Sequence, residues 1–406
     1  MTRMNSRSHA LATSCLGAMA RLVIGFALSS SSNGQAAPGQ QIPVHQSQAS
    51  QPDGRDAVLS TQESAEEELR KGTALTSQGS FTDAIPHLLI ARKGEVYEYA
   101  ANFNLALCYV GTSQFKEAIQ ILSHLRGGGH DGADVENLLA QAYIGNEQPQ
   151  EALASVQKAA AVSPQNEKLY TFVADACEDH NDYALGLKVV DIGLRNLPQS
   201  ARLHYERAMF LTQLDELDQA KPDFELAGKL APGSEIGYLA SAHQELFEGD
   251  ISEAIRTARD GVKRGYENHA LLTVLGEALL RSGVSPGQPE FVEAQAALEK
   301  AVTQLPNDPS AQIALGSLYL MAGRLEDAIA HLEKARRLDP SKPSVYASLA
   351  KAYQRHGDMQ QAKDALRALE KLNREQAGRI GSAPGDRKLG YAGRGVAEEE
   401  PATPHP

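Results

Sequence analysis

The chain has 406 residues, a formal net charge of −12, three cysteines and no tryptophan. An acidic balance argues against nucleic acid as a general partner, because phosphate binding needs a basic footprint, and against electrostatic docking on anionic lipid. Three cysteines are too few for a disulfide framework, so stability must come from packing, and a core rich in alanine and leucine suits close helix–helix contact.

The N-terminus reads as a secretory signal. Arg21 precedes an apolar run at residues 22–28, and small residues at Gly34 and Ala36 suit cleavage after Ala36. The expected signal is therefore residues 1–36. Its apolar run is far short of the roughly 20 residues that cross a bilayer. No apolar run precedes Cys15, so it does not read as a lipid anchor. These 36 residues hold Arg3, Arg7 and Arg21 and no acid, so the remainder is more acidic still. Residues 37–62 are rich in Gln, Ser, Pro and Gly without apolar periodicity, which predicts a disordered linker. Ser60 and Glu63 make a capping-box pair, where the first helix is expected to start.

From residue 63 to 377 one pattern recurs. Small residues fall at Gly72, Ala106, Ala140, Ala174, Ala208, Ala242 and Gly276, each 34 after the last. A second series runs through Ala84, Ala118, Ala152, Gly186, Ala220 and Ala254. After an insertion the register resumes at Gly316 and Ala328, then Ala350 and Ala362. Tyr109, Tyr143, Tyr319 and Tyr353 stand three residues after the first small position, on nearly the same helical face. Gly79, Gly249, Gly283, Gly323 and Gly357 are placed to end a first helix in a left-handed cap. Pro164, Pro198, Pro232, Pro306 and Pro340 are placed to end a second. The pattern predicts helix–turn–helix units starting near 65, 99, 133, 167, 201, 235, 269, 309 and 343.

This spacing, clearest in residues 309–340, resembles the tetratricopeptide repeat, a unit of about 34 residues. The resemblance implies an all-α fold: an α-solenoid of about nine units coiled into a right-handed superhelix, with first helices lining a concave groove. No unit buries its apolar face alone, so neighbours must stack. Two departures stand out. Gly127, Gly128 and Gly129 replace the proline at the second-to-third junction, where a hinge is expected. The seventh unit has an inter-helix loop lengthened by six residues, at 282–291. The last helix is expected over about 360–376, charged enough to cap the array, with 378–406 a disordered tail rich in Gly and Pro.

No P-loop, GxSxG, HExxH, CxxC or dinucleotide-binding motif occurs, so neither an enzyme nor a cofactor or metal site is expected. An enzyme with its site inside the groove is the remote alternative. The best acidic constellation is Asp175, Glu178 and Asp179, whose spacings of three and four share one helix face. The resemblance points that face into the groove, where it suits a basic peptide segment. Corresponding positions of later units are apolar: Leu239, His243, Leu246 and Phe247, then Leu280, then Ile313, Leu320 and Met321. They suggest either an adaptable groove for an apolar segment or, in part, a strip covered by neighbouring helices, since alternate repeat faces are hard to separate from sequence. The family's carboxylate clamp for chaperone C-termini is missing: Asn104 fits one place, but Leu69, Thr73, Asp134 and Leu138 occupy its neighbours. The expectation is an exported, periplasmic or extracellular scaffold that binds a protein or peptide and neither nucleic acid nor membrane. A membrane-tethered assembly factor with an uncleaved N-terminus is the alternative.

Overall fold

The computed structural model describes residues 54–381, with side chains from 62 to 375. The expected signal, most of the linker and most of the tail lie outside the described residues. Within them are eighteen α-helices in nine antiparallel pairs and no strand. The first four units comprise α1 (Gly54–Ser77) with α2 (Phe81–Ala91), α3 (Glu98–Gly111) with α4 (Phe115–Gly127), α5 (Ala133–Gly145) with α6 (Pro149–Val162), and α7 (Glu167–Asp179) with α8 (Tyr183–Asn196). The middle is α9 (Ala201–Gln213) with α10 (Leu217–Leu230), then α11 (Glu235–Glu248) with α12 (Ile251–Lys263). The array continues through α13 (His269–Arg281) with α14 (Pro289–Gln304), α15 (Pro309–Ala322) with α16 (Leu325–Leu338), and α17 (Pro343–His356) with α18 (Met359–Gly381).

Each pair is closed by its small residues. Ala106 and Ala118, Ala140 and Ala152, and Ala174 with Gly186 are all fully buried where the two helices cross. At Gly276 an added Cβ would lie 2.4 Å from Leu298, a distance no side chain tolerates. The axes are therefore as close as backbone and leucine allow.

The turn after the first helix is the same in every unit. A residue of positive φ stands at positions 79, 113, 147, 181, 215, 249, 283, 323 and 357. Five are the expected glycines, and the others are Ser113, Glu147, Asn181 and Asp215, with φ between 56 and 64°. In every unit but the seventh, the next amide donates to the carbonyl five residues back, as Gln148 does to Tyr143 at 2.8 Å. This Schellman-type closure satisfies the helix end, and it forces the left-handed residue whether or not glycine is available.

A second device serves the joints between units. Side chains early in the first helix donate to the proline carbonyl six residues earlier: Tyr170 to Pro164 (2.9 Å), Gln312 to Pro306 (2.7 Å) and Tyr346 to Pro340 (2.9 Å). His204 contacts Pro198 O in the same way at 3.1 Å. A carbonyl turned inward at the joint would otherwise lack a partner.

Some expectations are corrected. The first helix begins at Gly54, well ahead of Ser60, so Ser60 and Glu63 lie inside it. No proline follows Pro52 until Pro86, and residues 55–59 can all continue a helix, so nothing stops it from extending back. The last helix likewise runs on to Gly381. The long loop ends at Pro289, which fits a first helical turn, and Val284 of the loop and Phe291 of the helix after it are buried in the core. The glycines at 127–129 do not interrupt the core, since Leu122 and Leu125 pack in one cluster with Val135 and Leu138. The core divides instead along α9: Leu203 and Phe210 belong to the N-terminal cluster, Tyr205 and Leu211 to the C-terminal one. There His204 and Asp223 are buried, and half-buried Arg207 donates to Asp223 at 2.6 and 2.7 Å.

Two substitutions check this packing. Ala220→Arg or Ala254→Arg is expected to cost about 3 kcal/mol or more, by overpacking and an unpaired buried charge, read as a lower urea midpoint. Glu147→Gly should instead raise the midpoint. It removes a left-handed strain of about 1–2 kcal/mol against a glycine entropy cost of about 0.5–1 kcal/mol.

Candidate functional site on the concave face

Neighbouring first helices pack directly against one another along the whole array, whereas second helices do so closely only between the third and fourth units. The first helices therefore form the shorter, inner edge of the curve. That curve closes on itself. The Tyr183 hydroxyl, at the start of α8, donates to Asp339 Oδ2 at 3.3 Å across 156 residues. The Lys342 ammonium donates to Gln213, at the end of α9. Units four and five thus touch the joint between units eight and nine, and the first helices between them surround a lumen.

Carboxyls crowd this lumen. Glu178 is solvent-exposed, yet many protein atoms surround it on the inside of the curve. Enclosure, followed by the charges of Glu206, Asp175, Asp308 and Asp179, pushes its carboxyl up to about 8. Glu277 rises to about 7, chiefly through burial and next through Asp308, with Arg281 and Lys342 pulling the other way. Glu206 is buried and pairs with Arg202 at 2.5 Å. Burial lowers the Lys342 ammonium, against the pull of Asp339, Glu178 and Glu277. Ionised carboxyls at short range repel, and low-dielectric surroundings magnify the effect.

The structure thus joins Asp175, Glu178 and Asp179 to Glu206, Glu277, Asp308 and Lys342. These additions come from units five to nine and carry no common spacing in sequence. Only the superhelical turn brings them together.

The apolar strip fares differently. Leu239, Leu246 and Leu320 are core residues, between 3 and 5% exposed, not groove residues. His243 is also buried, its imidazole pushed down to about 4 by burial, with ring centroids 5.7 Å from Phe224 and 5.8 Å from Tyr205. Phe247 is half-buried and stacks on Phe224 at 5.6 Å. Leu280 and Ile313 are half-buried against the core, and Met321 alone of this set is exposed. The reason is the tight inner edge: adjacent first helices cover the positions that a wider curve would leave open.

Cys108 and Cys177 are buried free thiols, and burial raises the Cys108 thiol to about 11, which leaves it inert. Among the described residues no group of three or more His, Cys, Asp or Glu is placed to hold a metal ion. No helix among them is long and apolar enough to cross a membrane.

Family models described as tetratricopeptide repeat match residues 69–128, 137–201 and 343–376, and one described as TPR repeat matches 316–357. No curated protein matches the sequence. Among solved structures, a chain of the APC/C hetero-tetramer Cut9–Hcn1 is similar over 73% of this chain and 58% of its own, at 15% identity and TM-score 0.42. This chain therefore spans little more than half of that one. A tetratricopeptide repeat protein from Parabacteroides merdae is similar over 71% of this chain and 99% of its own, at 19% identity and TM-score 0.42. YrrB, titled a TPR protein with an unusual peptide-binding site, is similar over 48% of this chain and 100% of its own, at 18% identity and TM-score 0.31.

The raised carboxyls set a pH dependence. Between the ordinary carboxylate value and about 7–8, the folded chain holds protons on Glu277 and Glu178 that the unfolded chain releases. Their contribution is greatest below the unfolded value and is lost as pH rises through about 7 and 8. Urea midpoints should therefore fall from about pH 5 to about pH 8, and Glu178→Gln with Glu277→Gln should flatten that fall.

Proposed function

Because this chain belongs to the tetratricopeptide repeat family, we propose that it is a non-enzymatic protein–protein interaction scaffold whose lumen takes a basic polypeptide segment. The crowding of carboxyls around Glu178 carries this reading. A lysine or arginine placed among Glu178, Asp175, Glu277 and Asp308 relieves their mutual repulsion and lets the two raised carboxyls ionise. Arg202 already pairs with Glu206 beside them, and Lys342 feels the charges of Glu178 and Glu277, which supports this reading. The burial of Leu239, Leu246 and Leu320 removes most of the support for an apolar ligand.

Such binding releases protons. Affinity for a Lys- or Arg-rich peptide should rise as pH climbs through about 7–8 and fall with added salt. Fluorescence anisotropy on the full chain measures both. The triple variant Asp175→Ala, Glu178→Ala and Asp179→Ala should lose at least tenfold in affinity while keeping the helical circular-dichroism signal. Equal binding by the folded variant, or affinity that drops with rising pH, would sink the proposal.

We propose further that the chain is exported to the periplasm or secreted, on the strength of its N-terminal pattern. N-terminal sequencing of the mature protein checks this. A start at Ala37 supports export with cleavage, and a retained N-terminus supports a membrane-tethered assembly factor.

A further inference from the structure

On the outer side of the array, a crevice of about 470 Å³ opens beside α2, α3 and α4, with Arg92, Asn102, Glu117, Ile121 and His124 among its lining residues. Asn102 is fully buried, and neither its Nδ2 nor its Oδ1 has a hydrogen-bond partner. The register of the array explains why. Glu68, Tyr170, His204, Gln312 and Tyr346, at the same position of five other units, are satisfied in two ways: by the proline carbonyl six residues earlier, or by the facing residue of the second helix. Glu68 meets His87 in this second way at 2.6 Å, His204 meets Asp223 at 2.7 Å, and Gln312 meets His331 at 2.6 Å. In the second unit both partners are gone. The residue facing Asn102 is Ile121, and the preceding joint is a short 3-10 turn over Glu95–Tyr97 instead of a proline. An orphaned buried amide is destabilising, so this site is held open at a cost.

The third unit shows what such a crevice accommodates. There Glu136 occupies the position of Asn102, Arg126 that of Arg92 and Lys158 that of His124. The Glu136 carboxylate, almost fully buried, lies 3.7 Å from Arg126 Nη1 and 3.7 Å from Lys158 Nζ, held by charge alone, since its Oε2 has no hydrogen-bond partner. Glu117 in the crevice wall has Glu151 as its counterpart 34 residues on. The second unit keeps the basic walls and lacks the carboxylate between them. Among the described residues Arg92 forms no ion pair, and His124 Nε2 stands 3.9 Å from Glu98 at the rim.

We propose that the crevice of the second unit binds a carboxylate supplied from outside the chain. The incoming group accepts from Asn102 Nδ2 and pairs with Arg92 and His124, in the place Glu136 fills one unit later. Because Asn102 is screened from water, the exposed Arg92 or His124 turns aside to admit it. The carboxylate comes either from a small free acid or from an acidic side chain of a bound protein segment.

The test is side-chain amide NMR of the full chain with labelled asparagine, the Asn102 signal being assigned by its loss in Asn102→Gln. Succinate is titrated in one arm and an N-acetylated, C-amidated Gly-Glu-Gly peptide in the other. A saturable shift of the Asn102 signal is expected, in both arms for a free-acid site and in the peptide arm alone for a segment site. Arg92→Ala, at an exposed position, should weaken binding at least tenfold. Asn102→Glu should abolish it without lowering the melting temperature, because the crevice then holds its own carboxylate as the third unit does. An Asn102 signal that moves in neither arm, or no faster than surface asparagines, means the crevice holds water only and overturns the proposal. Binding undiminished in both Arg92→Ala and Asn102→Glu overturns it too.

Discussion

The structure depends on how closely two helices can cross. At each crossing one or both partners is alanine or glycine, and at Gly276 the leucine of the facing helix already fills the space a methyl would need. That single constraint sets the angle within each pair, and the pair sets the stacking of the next. A solenoid has no other core to fall back on, so each contact supports only its neighbours. The alanine-rich composition follows directly, and where glycine stands, as at Gly186, a ring such as that of Phe210 takes the space.

Tight crossings leave many main-chain groups to satisfy at short turns. The left-handed residue after each first helix allows the closing hydrogen bond, and the sequence accepts Glu147 or Asp215 there when glycine is lacking. The joint between units uses a side chain for the same purpose, with Tyr170, Gln312 and Tyr346 reaching back to a proline carbonyl. Where the joint changes, the accounting changes with it. Asn102 is left without a partner for that reason, and its isolation follows from the regularity of the other units.

Small angles repeated over several pairs bring distant parts of the chain together. The contacts of Tyr183 with Asp339 and of Lys342 with Gln213 complete one such turn. Inside it, acids that lie far apart in sequence share one enclosed space, and the carboxyls of Glu178 and Glu277 hold protons more tightly than free glutamate does. The same tightening covers Leu239, Leu246 and Leu320. One geometric cause thus makes the inner face more acidic and less apolar than its helices suggest one by one.

The sequence by itself determined the repeat, its phase, the nine pairs and the glycine and proline stops, because these are local: each depends on residues a few turns apart. It also carried Asp175, Glu178 and Asp179, which share one helix face. The helix ends at Gly54 and Gly381 were not legible, since a capping pair marks where a helix can start and nothing marks where it must. Only the tertiary structure decided which inward positions stay open. Curvature accumulates from many small angles, and no residue encodes their sum. Whether His243 is ligand-facing or core, whether Asp308 lies beside Glu178, and whether Asn102 finds a partner are all questions of distance across units. The 34-residue spacing fixes the helix positions and leaves those distances to the packing.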